Sequence, residues 1–357
     1  MGRPLALVIT LGCLAACADP GGGADLPDAG LTADAPSIAD ARPDGPIVPL
    51  PDAPDVPDAP PDAPPLSGHP DWAAVATMCG SLADVAWISD SDVWLACGSH
   101  GLLHVTTAGV SVWNAPGGSV SRVAAAGGEI RALACNTVYR YSAGTWVNEA
   151  TVGTLSSCGM GFAGGDGGWF VGTRSFGGNG GFWRRDATGW VVGVDTVRGF
   201  EDIIALGETE FLANTIGVST GLNHMRKVGT SSWTSVSDHA FGVRTMWRAP
   251  GTPTKVYFAN TPGNGPAGGG GGIYRWVADA YTLELPTAGP NYERINAIWG
   301  RSATEVYAAG DDGTLVRSTG NGTWTPMASG TMIDANQIWS WNGSLVVASA
   351  SAIHVVP

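Results

Sequence analysis

The amino-acid sequence predicts an all-β fold assembled from a repeated unit of about forty residues. The clearest copy is residues 295–327, where four short β-branched, aromatic or alternating runs are separated by clusters of Gly, Asp, Asn and Ser. Such clusters favour turns, because these residues tolerate positive φ or form Asx turns. Charged residues make up only 14% of the chain. Heptads and long stripes of period 3.6 are absent, which argues against a helical or α/β core.

Degenerate copies of this unit follow one another through residues 67–357. An aromatic residue marks the closing strand of the first six copies, and Trp72 is the candidate for the seventh; these residues are Trp72, Trp113, Trp146, Trp190, Trp233, Tyr281 and Trp324. Their spacing of 33 to 48 residues is typical of four-stranded propeller blades. The sequence therefore predicts a β-propeller of four-stranded antiparallel blades. Seven blades are the simplest count, and six or eight remain open.

The last copy, residues 337–356, has three strands and no closing aromatic strand. A candidate for the missing strand lies at the other end of the repeat region, in residues 71–75 around Trp72. We expect this N-terminal strand to pair with the last blade and close the ring, because pairing satisfies the backbone groups of an exposed edge.

The front of the chain has the pattern of an export signal, residues 1–16. A weakly positive start precedes the apolar run 5–14, which is too short to cross a bilayer as a helix. The run ends in the tetrad LAAC, which resembles the lipobox of bacterial lipoproteins and makes Cys17 the predicted lipidation site. An ordinary secretory signal is the alternative. Ala18 stands where that family's inner-membrane retention signal has Asp, which favours the outer membrane.

The following segment, residues 17–66, begins with the lipidated Cys and is of low complexity, with Pro-Asp-Ala recurring and a net charge of −9 over 18–66. Proline and like charges favour an extended, solvated linker, and the Asp residues lack the spacing of a calcium loop. The third region, 67–357, carries −5 and has no basic stripe. Nucleic acid is therefore not an expected partner.

The repeat also resembles known families. The runs AIWG (297–300), EVYAAG (305–310), GTL (313–315) and GTW (322–324) are similar to degenerate propeller repeats of secreted bacterial lipoproteins. They also resemble the propellers of photosystem II assembly factors and the Asp-box repeats of sialidases. Residues 318–324 lack the Asp of that box, which is a folding turn in the family and not a catalytic part. The resemblance implies a propeller and leaves activity open.

Besides the lipidated Cys17, four cysteines remain after export, Cys79, Cys97, Cys135 and Cys158. In an exported chain they predict two disulfides, with three possible connectivities. The strand positions favour Cys79–Cys97, which leaves Cys135–Cys158 by elimination. A zinc site is disfavoured, because no CxxC or nearby His pair occurs.

Catalytic motifs are not found. The six histidines lack metal-ligand spacing; they are His69, His100, His104, His224, His239 and His354. Asp311-Asp312-Gly313 is typical of a hairpin turn, and a cation site is the less favoured alternative. A sialidase-like enzyme would need three converging arginines with a Tyr nucleophile and its Glu. The arginines of the middle copies that we considered are Arg174, Arg184, Arg185, Arg226 and Arg244. We therefore expect no catalytic residue, metal or cofactor.

The sequence favours a monomeric, lipid-anchored propeller at the cell surface or in the periplasm that binds a protein or a glycan through its loop faces. The alternative is a glycan-cleaving hydrolase or lyase. A convergent polar cluster at the mouth of the central channel would favour the enzyme, and a channel of small or apolar residues would favour binding. The fold by itself cannot decide between them.

Overall fold

The structure is a computed structural model. It describes residues 68–114, 119–152, 159–165, 168–173, 181–193, 200–207, 210–216, 222–228, 234–235, 243–251, 255–260, 272–277, 280–286 and 294–356. The predicted signal, Cys17 and the linker lie outside the described residues, as does Cys158.

The described strands form seven antiparallel sheets in chain order, six with four strands and one with three. Sheet 1 contains β1 (Asp84–Ser89), β2 (Asp92–Ala96), β3 (Leu102–Thr106) and β4 (Gly109–Trp113). Sheet 2 contains β5 (Val120–Ala126), β6 (Glu129–Ala134), β7 (Thr137–Ser142) and β8 (Thr145–Thr151). Sheet 3 contains β9 (Gly159–Gly165), β10 (Gly168–Thr173), β11 (Phe182–Asp186) and β12 (Gly189–Gly193). Sheet 4 contains β13 (Phe200–Ala205), β14 (Glu210–Ile216), β15 (Leu222–Val228) and β16 (Thr234–Ser235).

The remaining sheets repeat this order. Sheet 5 contains β17 (Val243–Arg248), β18 (Val256–Asn260), β19 (Gly272–Val277) and β20 (Ala280–Pro286). Sheet 6 contains β21 (Ile295–Ser302), β22 (Glu305–Gly310), β23 (Leu315–Ser318) and β24 (Trp324–Pro326). Sheet 7 contains β25 (Gln337–Trp341), β26 (Ser344–Ala348) and β27 (Ile353–Val355). Within the described residues, the helices are α1 (Trp72–Cys79) and a 3₁₀ turn at Asp311–Gly313.

The first strand of each sheet lies against the first strand of the next sheet, and β25 of sheet 7 lies against β1 of sheet 1. The sheets thus stand around a ring with their first strands innermost, which is a β-propeller, the predicted fold class. Each sheet buries its faces between its neighbours. Between sheets 5 and 6, for example, Tyr257, Ile298 and Trp324 share one apolar cluster.

The aromatic residues of the closing strands fill space between sheets, because their large apolar surface can be buried there. Trp146 and Trp324 are buried, while Trp113 packs edge-on against Tyr139 at 5.1 Å between ring centroids. Trp233 lies outside the described residues.

The predicted N-terminal closing strand is wrong, because the residues around Trp72 form the helix α1. The Ala74 amide donates to Asp71 Oδ1 (3.0 Å), so Asp71 caps the first turn. The buried residues of the helix are Trp72, Val75, Ala76 and Cys79. Their i, i+3, i+4, i+7 spacing makes one apolar stripe. Within the described part of the chain, no helix has the length and apolarity needed to cross a membrane.

Helix α1 covers the seam where sheet 7 meets sheet 1. The ring of Trp72 packs edge-on against Trp339 (5.7 Å) and Trp341 (5.4 Å) of β25. At its other end the helix is joined to sheet 1 by a disulfide between Cys79 and Cys97, with 4.8 Å between their Cα atoms. The helix therefore links the last sheet to the first, and it lies against β27.

The other half of the predicted disulfide framework is described only in part. Cys135 is disulfide-bonded and has a left-handed backbone, with φ of 49°. Its predicted partner Cys158 lies outside the described residues.

Candidate functional site: the central channel

A cavity of about 620 Å³ runs between the first strands, with lining residues from all seven sheets. Each first strand has an equivalent residue near its beginning, which can be identified by its pairing with the second strand. These residues mark the start of the channel. In six sheets this residue pairs with the fifth residue of the second strand, and in sheet 5 Thr245 pairs with Ala259, the fourth. We call this set the entrance ring; it comprises Asp84, Arg122, Gly161, Asp202, Thr245, Ala297 and Gln337.

A β-bulge precedes the entrance ring in sheets 2 to 6. The register shifts between Val120 and Arg122 in sheet 2, and between Phe200 and Asp202 in sheet 4, with matching shifts in sheets 3, 5 and 6. A bulge adds one residue to a strand and redirects the side chain that follows. In sheets 2, 4, 5 and 6 the bulge therefore places one side chain at the start of the channel, while sheet 3 has Gly161 at this position.

Three charged side chains occur among the described lining residues, namely Asp84, Arg122 and Asp202, all in the entrance ring. Burial raises the pKa of Asp84, and Arg122 opposes the rise. Burial also raises the pKa of Asp202, to about 6; Arg122 and the backbone amide of Ile203 counter part of this, and Asp84 adds to it. The guanidinium thus acts on both carboxylates through space, while its Nη1 donates to the Ser121 carbonyl at 3.0 Å.

Several entrance-ring side chains also join neighbouring sheets. The Val123 amide of β5 donates to Asp84 Oδ2 of β1 at 3.0 Å. Gln337 Nε2 of β25 donates to the Ala83 carbonyl, which directly precedes β1, at 3.2 Å. Part of the role of this ring is therefore structural, since it satisfies backbone groups where consecutive first strands meet.

Beyond the entrance ring, one side of the channel is aromatic. Trp87, Trp247 and Trp299 line it from sheets 1, 5 and 6, and each is half-buried; we call these three the aromatic wall. Trp87 packs edge-on against Trp299 at 5.4 Å and donates from Nε1 to the Ser340 carbonyl at 3.0 Å. Trp247 stacks on Tyr257 at 6.0 Å. These contacts fix the rings in place.

The opposite side of the channel has no tryptophan among its described lining residues and includes several small residues. Sheets 2 and 3 contribute Ala124, Ala125, Ala163 and Gly164 to the lining. A second cavity of about 300 Å³ adjoins these residues. The channel is therefore asymmetric, with space on the side of sheets 2 and 3 and aromatic surface facing it.

Two metal sites were considered as alternatives and disfavoured from the sequence; the described residues contain no group of three His, Cys, Asp or Glu that could hold a metal ion. His104 Nε2 lies 2.9 Å from Asp92 Oδ1 and stacks on Trp94 at 4.0 Å. The Asp311–Gly313 segment is a tight turn, in which Asp312 has φ of 51° and its amide donates to Asp334 Oδ1 at 3.0 Å.

The arginines considered for a sialidase-like site do not converge where their side chains are described. Arg185 Nε of β11 donates to Glu149 Oε1 of β8 at 2.7 Å, so it joins sheets 2 and 3. Arg226 and Arg244 lie on β15 and β17, and the structure does not describe their side chains; Arg174 lies outside the described residues.

Sequence reasoning missed an ion network at the junction of sheets 2 and 3. Its centre is Arg131, which is fully buried. Its Nε donates to Glu149 Oε2 at 2.7 Å and its Nη1 to Glu129 Oε2 at 2.6 Å. Its guanidinium lies 4.5 Å from the centre of the Trp169 ring. Hydrogen bonds from Arg131 lower the pKa of Glu129. Burial raises the pKa of Glu149, but Arg131 and Arg185 outweigh it and lower the pKa overall.

The chain matches no protein-family model and no curated protein. Solved structures similar to it include YCF48 bound to D1 peptide, with TM-score 0.56, 14% identity and coverage of 76% of this chain and 91% of that chain. YCF48 from Cyanidioschyzon merolae has TM-score 0.53, 15% identity and coverage of 76% and 94%. The WD40 β-propeller domain of Doa1 has TM-score 0.55, 13% identity and coverage of 77% and 92%. At these identities the likeness shows the fold, so the class of protein is a β-propeller.

Proposed function

We propose that this chain is a non-enzymatic interaction module that holds a segment of another protein at the start of its central channel. The observation that carries the proposal is the channel itself, a cavity of about 620 Å³ with a polar entrance ring and a fixed aromatic wall. Cavities of roughly 300–1,000 Å³ that combine apolar surface with a few polar groups are the usual form of ligand sites. YCF48, one of the similar propellers, is described with a bound D1 peptide, which supports a peptide ligand here.

The glycan-cleaving alternative has less support. The entrance ring is polar, as an enzyme would require, but its carboxylates face backbone amides: Val123 donates to Asp84 and Ile203 to Asp202. Arg122 is the only arginine among the described lining residues of the main cavity, whereas a sialidase-like site requires three.

The proposal includes a lipid anchor at Cys17 and display from the cell envelope, at the outer membrane and not the inner membrane. Its support is the LAAC tetrad after the apolar run, followed by the proline- and aspartate-rich linker. If extended like polyproline at about 3.1 Å per residue, a linker of this length reaches on the order of 150 Å. That reach would place the propeller well clear of the lipid surface.

The anchor is tested by expressing the full chain with Cys17→Ser and measuring its partition between membrane and soluble fractions. We expect the variant to leave the membrane fraction and to lose the mass of the acyl chains. Cys13→Ser is the matched control, because it removes a cysteine from the predicted signal and leaves the tetrad intact. Unchanged partition of the Cys17→Ser protein would reject lipidation.

The binding role is tested by capture from envelope extracts with the full chain and with Thr245→Trp, which fills the start of the channel from sheet 5. Thr107→Trp, in the exposed turn between β3 and β4, is the control for adding an indole. We expect a partner that is retained by the wild type and by Thr107→Trp and lost with Thr245→Trp. If Thr245→Trp captures the same partner as the wild type, the proposed function is rejected. Hydrolysis of glycans by the wild type would also reject it.

A further inference from the structure

We propose that the channel recognises an extended peptide segment bearing a lysine or arginine side chain, with the cation directed at the carboxylates of Asp84 and Asp202 and the apolar part of the segment against the aromatic wall. This inference rests on the proposed function and specifies its ligand.

The first argument is the charge of the cavity. The described lining residues carry two carboxylates and one guanidinium, and no lysine, so the lining has a net negative charge. Arg122 comes from sheet 2, whereas the carboxylates come from sheets 1 and 4, and Asp84 and Asp202 repel each other through space. Opposite charges interact more strongly in a partly desolvated cavity than in water. A second cation would therefore be attracted into this part of the channel.

The second argument is the division of the channel into two sectors. The three charged residues belong to sheets 1, 2 and 4, while sheets 5 and 7 contribute the neutral polar side chains of Thr245, Asn336 and Gln337. Side-chain amides and hydroxyls contain both donors and acceptors, which suits them to contacts with a peptide backbone. A chain lying along sheets 5 to 7 would thus have Asp84 on the adjoining sheet 1 and Asp202 on the adjoining sheet 4 within reach of its side chains.

The third argument is the position of the aromatic wall. Trp247 and Trp299 belong to sheets 5 and 6, the same side as the neutral polar groups, and their rings are held by stacking on Tyr257 and Tyr307. Fixed indole faces bury apolar side chains at low entropic cost and attract cations through the ring quadrupole. The same segment can therefore contact the wall with its aliphatic portion and the carboxylates with its charged end.

The size of the cavity limits the ligand further. About 620 Å³ accommodates a few residues of extended chain and excludes a folded domain. Burial raises the pKa of Asp202 to about 6 although Arg122 opposes the rise, so the charged carboxylate is only partly compensated and can receive a second cation. Because this carboxylate becomes neutral as the pH falls through about 6, binding of a cation should weaken over the same range.

The experiment measures binding of three hexapeptides to the full chain by isothermal titration calorimetry. The probes are blocked peptides of sequence Lys-Pro-Leu repeated twice and the same peptide with Glu or with Gln in place of Lys. We expect the Lys peptide to bind at least tenfold more tightly than the Glu peptide, with an affinity that falls with added salt. Equal affinity for the Lys and Glu peptides, or binding of neither, would overturn the inference.

The variant Asp202→Asn keeps an acceptor oxygen and removes the charge. Loss of a charge-assisted contact predicts a weakening of about tenfold for the Lys peptide and loss of the pH step near 6. Asp312→Asn is the matched control, because Asp312 is exposed in a turn outside the cavity and its left-handed backbone tolerates Asn. Asp84→Asn provides an independent second test should Asp202→Asn fail to fold, which its thermal melt reveals.

Other outcomes separate this inference from the proposed function. Suppose the Lys peptide binds Asp202→Asn and Asp84→Asn as tightly as the wild type, while Thr245→Trp still loses an envelope partner. The channel then binds protein but not through a cation, and this inference is wrong. If a neutral chitin oligosaccharide binds the channel more tightly than every peptide, the ligand class is glycan, and both the inference and the protein-binding proposal are rejected.

Discussion

The junction between sheets 7 and 1 and the junction between sheets 2 and 3 solve the same packing problem with different chemistry. At the junction of sheets 2 and 3, neighbouring parts of the chain meet around the buried guanidinium of Arg131 and the ring of Trp169. At the seam, residues about 250 positions apart meet: Asp90 accepts from Ser340 Oγ, and its carbonyl accepts from the Asn342 amide. Asp90 also accepts from Arg301 Nη2 of sheet 6 at 3.4 Å.

Among the described residues, the seam also contains an element that is not seen at the other junctions. Trp72 of α1 packs on two tryptophans of β25, and the disulfide at Cys79 fixes the helix to the end of β2. The Trp341 indole donates to the Gly68 carbonyl just before the helix at 3.0 Å. Joining distant segments costs more chain entropy than joining neighbours. We infer that α1 offsets this cost, doing by side-chain packing what a fourth strand would do by backbone pairing.

The largest effect is expected at the seam. Trp72→Ala removes the indole that bridges α1 and β25, and a buried Trp-to-Ala change costs about 3–5 kcal/mol. The free energy of unfolding from guanidinium titration of the full chain measures the loss. Trp113→Ala is the comparison at an ordinary closing strand, and because Trp113 is only half-buried we expect a smaller loss. Equal losses would show that the seam has no special dependence on α1.

The junction of sheets 2 and 3 should respond to charge. Arg131→Met leaves Glu129 and Glu149 without their main partner, and breaking a buried ion pair in this way costs about 3 kcal/mol or more. Adding Glu149→Gln should recover part of the loss, because the uncompensated carboxylate is then gone. The double-mutant cycle, measured by the same titration, gives the coupling. Additive effects of the two changes would mean that Arg131 stabilises the junction by packing alone.

The repeat could be predicted from sequence because each strand has its own local signal. Alternating or β-branched runs separated by Gly and Asp clusters define the strands of sheet 6 closely, since hydrophobic pattern and turn chemistry agree there. Helix α1 was missed although its signals are present. Asp71 is an N-cap residue, and an alanine-rich run follows it. The repeat distance of Trp72 favours a strand, whereas the spacing of Val75, Ala76 and Cys79 favours the helix that the structure shows.

The channel and the ion network could not be predicted in the same way. Asp84, Arg122 and Asp202 occupy equivalent positions in three sheets, but they differ in chemistry, so no repeated residue type marks them. Their convergence depends on bulges and on ring closure, which are tertiary features. Arg131 pairs with a glutamate on β8 that also pairs with Arg185 of β11, and no sequence spacing indicates that these strands meet.

The last and smallest of the expected losses tests whether the disulfide holds α1 in place. The paired change Cys79→Ser and Cys97→Ser opens a crosslink between residues separated by 18 positions, for which the chain-entropy estimate is about 3 kcal/mol. Removing it should also raise hydrogen exchange in α1 and β27, because the helix is then held only by non-covalent packing of its buried residues, while exchange in β6 and β10 stays unchanged. A uniform increase across all sheets would mean that the disulfide stabilises the whole ring and is not a local fastening of the seam. Combining the pair with Trp72→Ala distinguishes these two possibilities. If both contacts hold the same helix, their losses in free energy of unfolding should be non-additive; if they act independently, the losses should add.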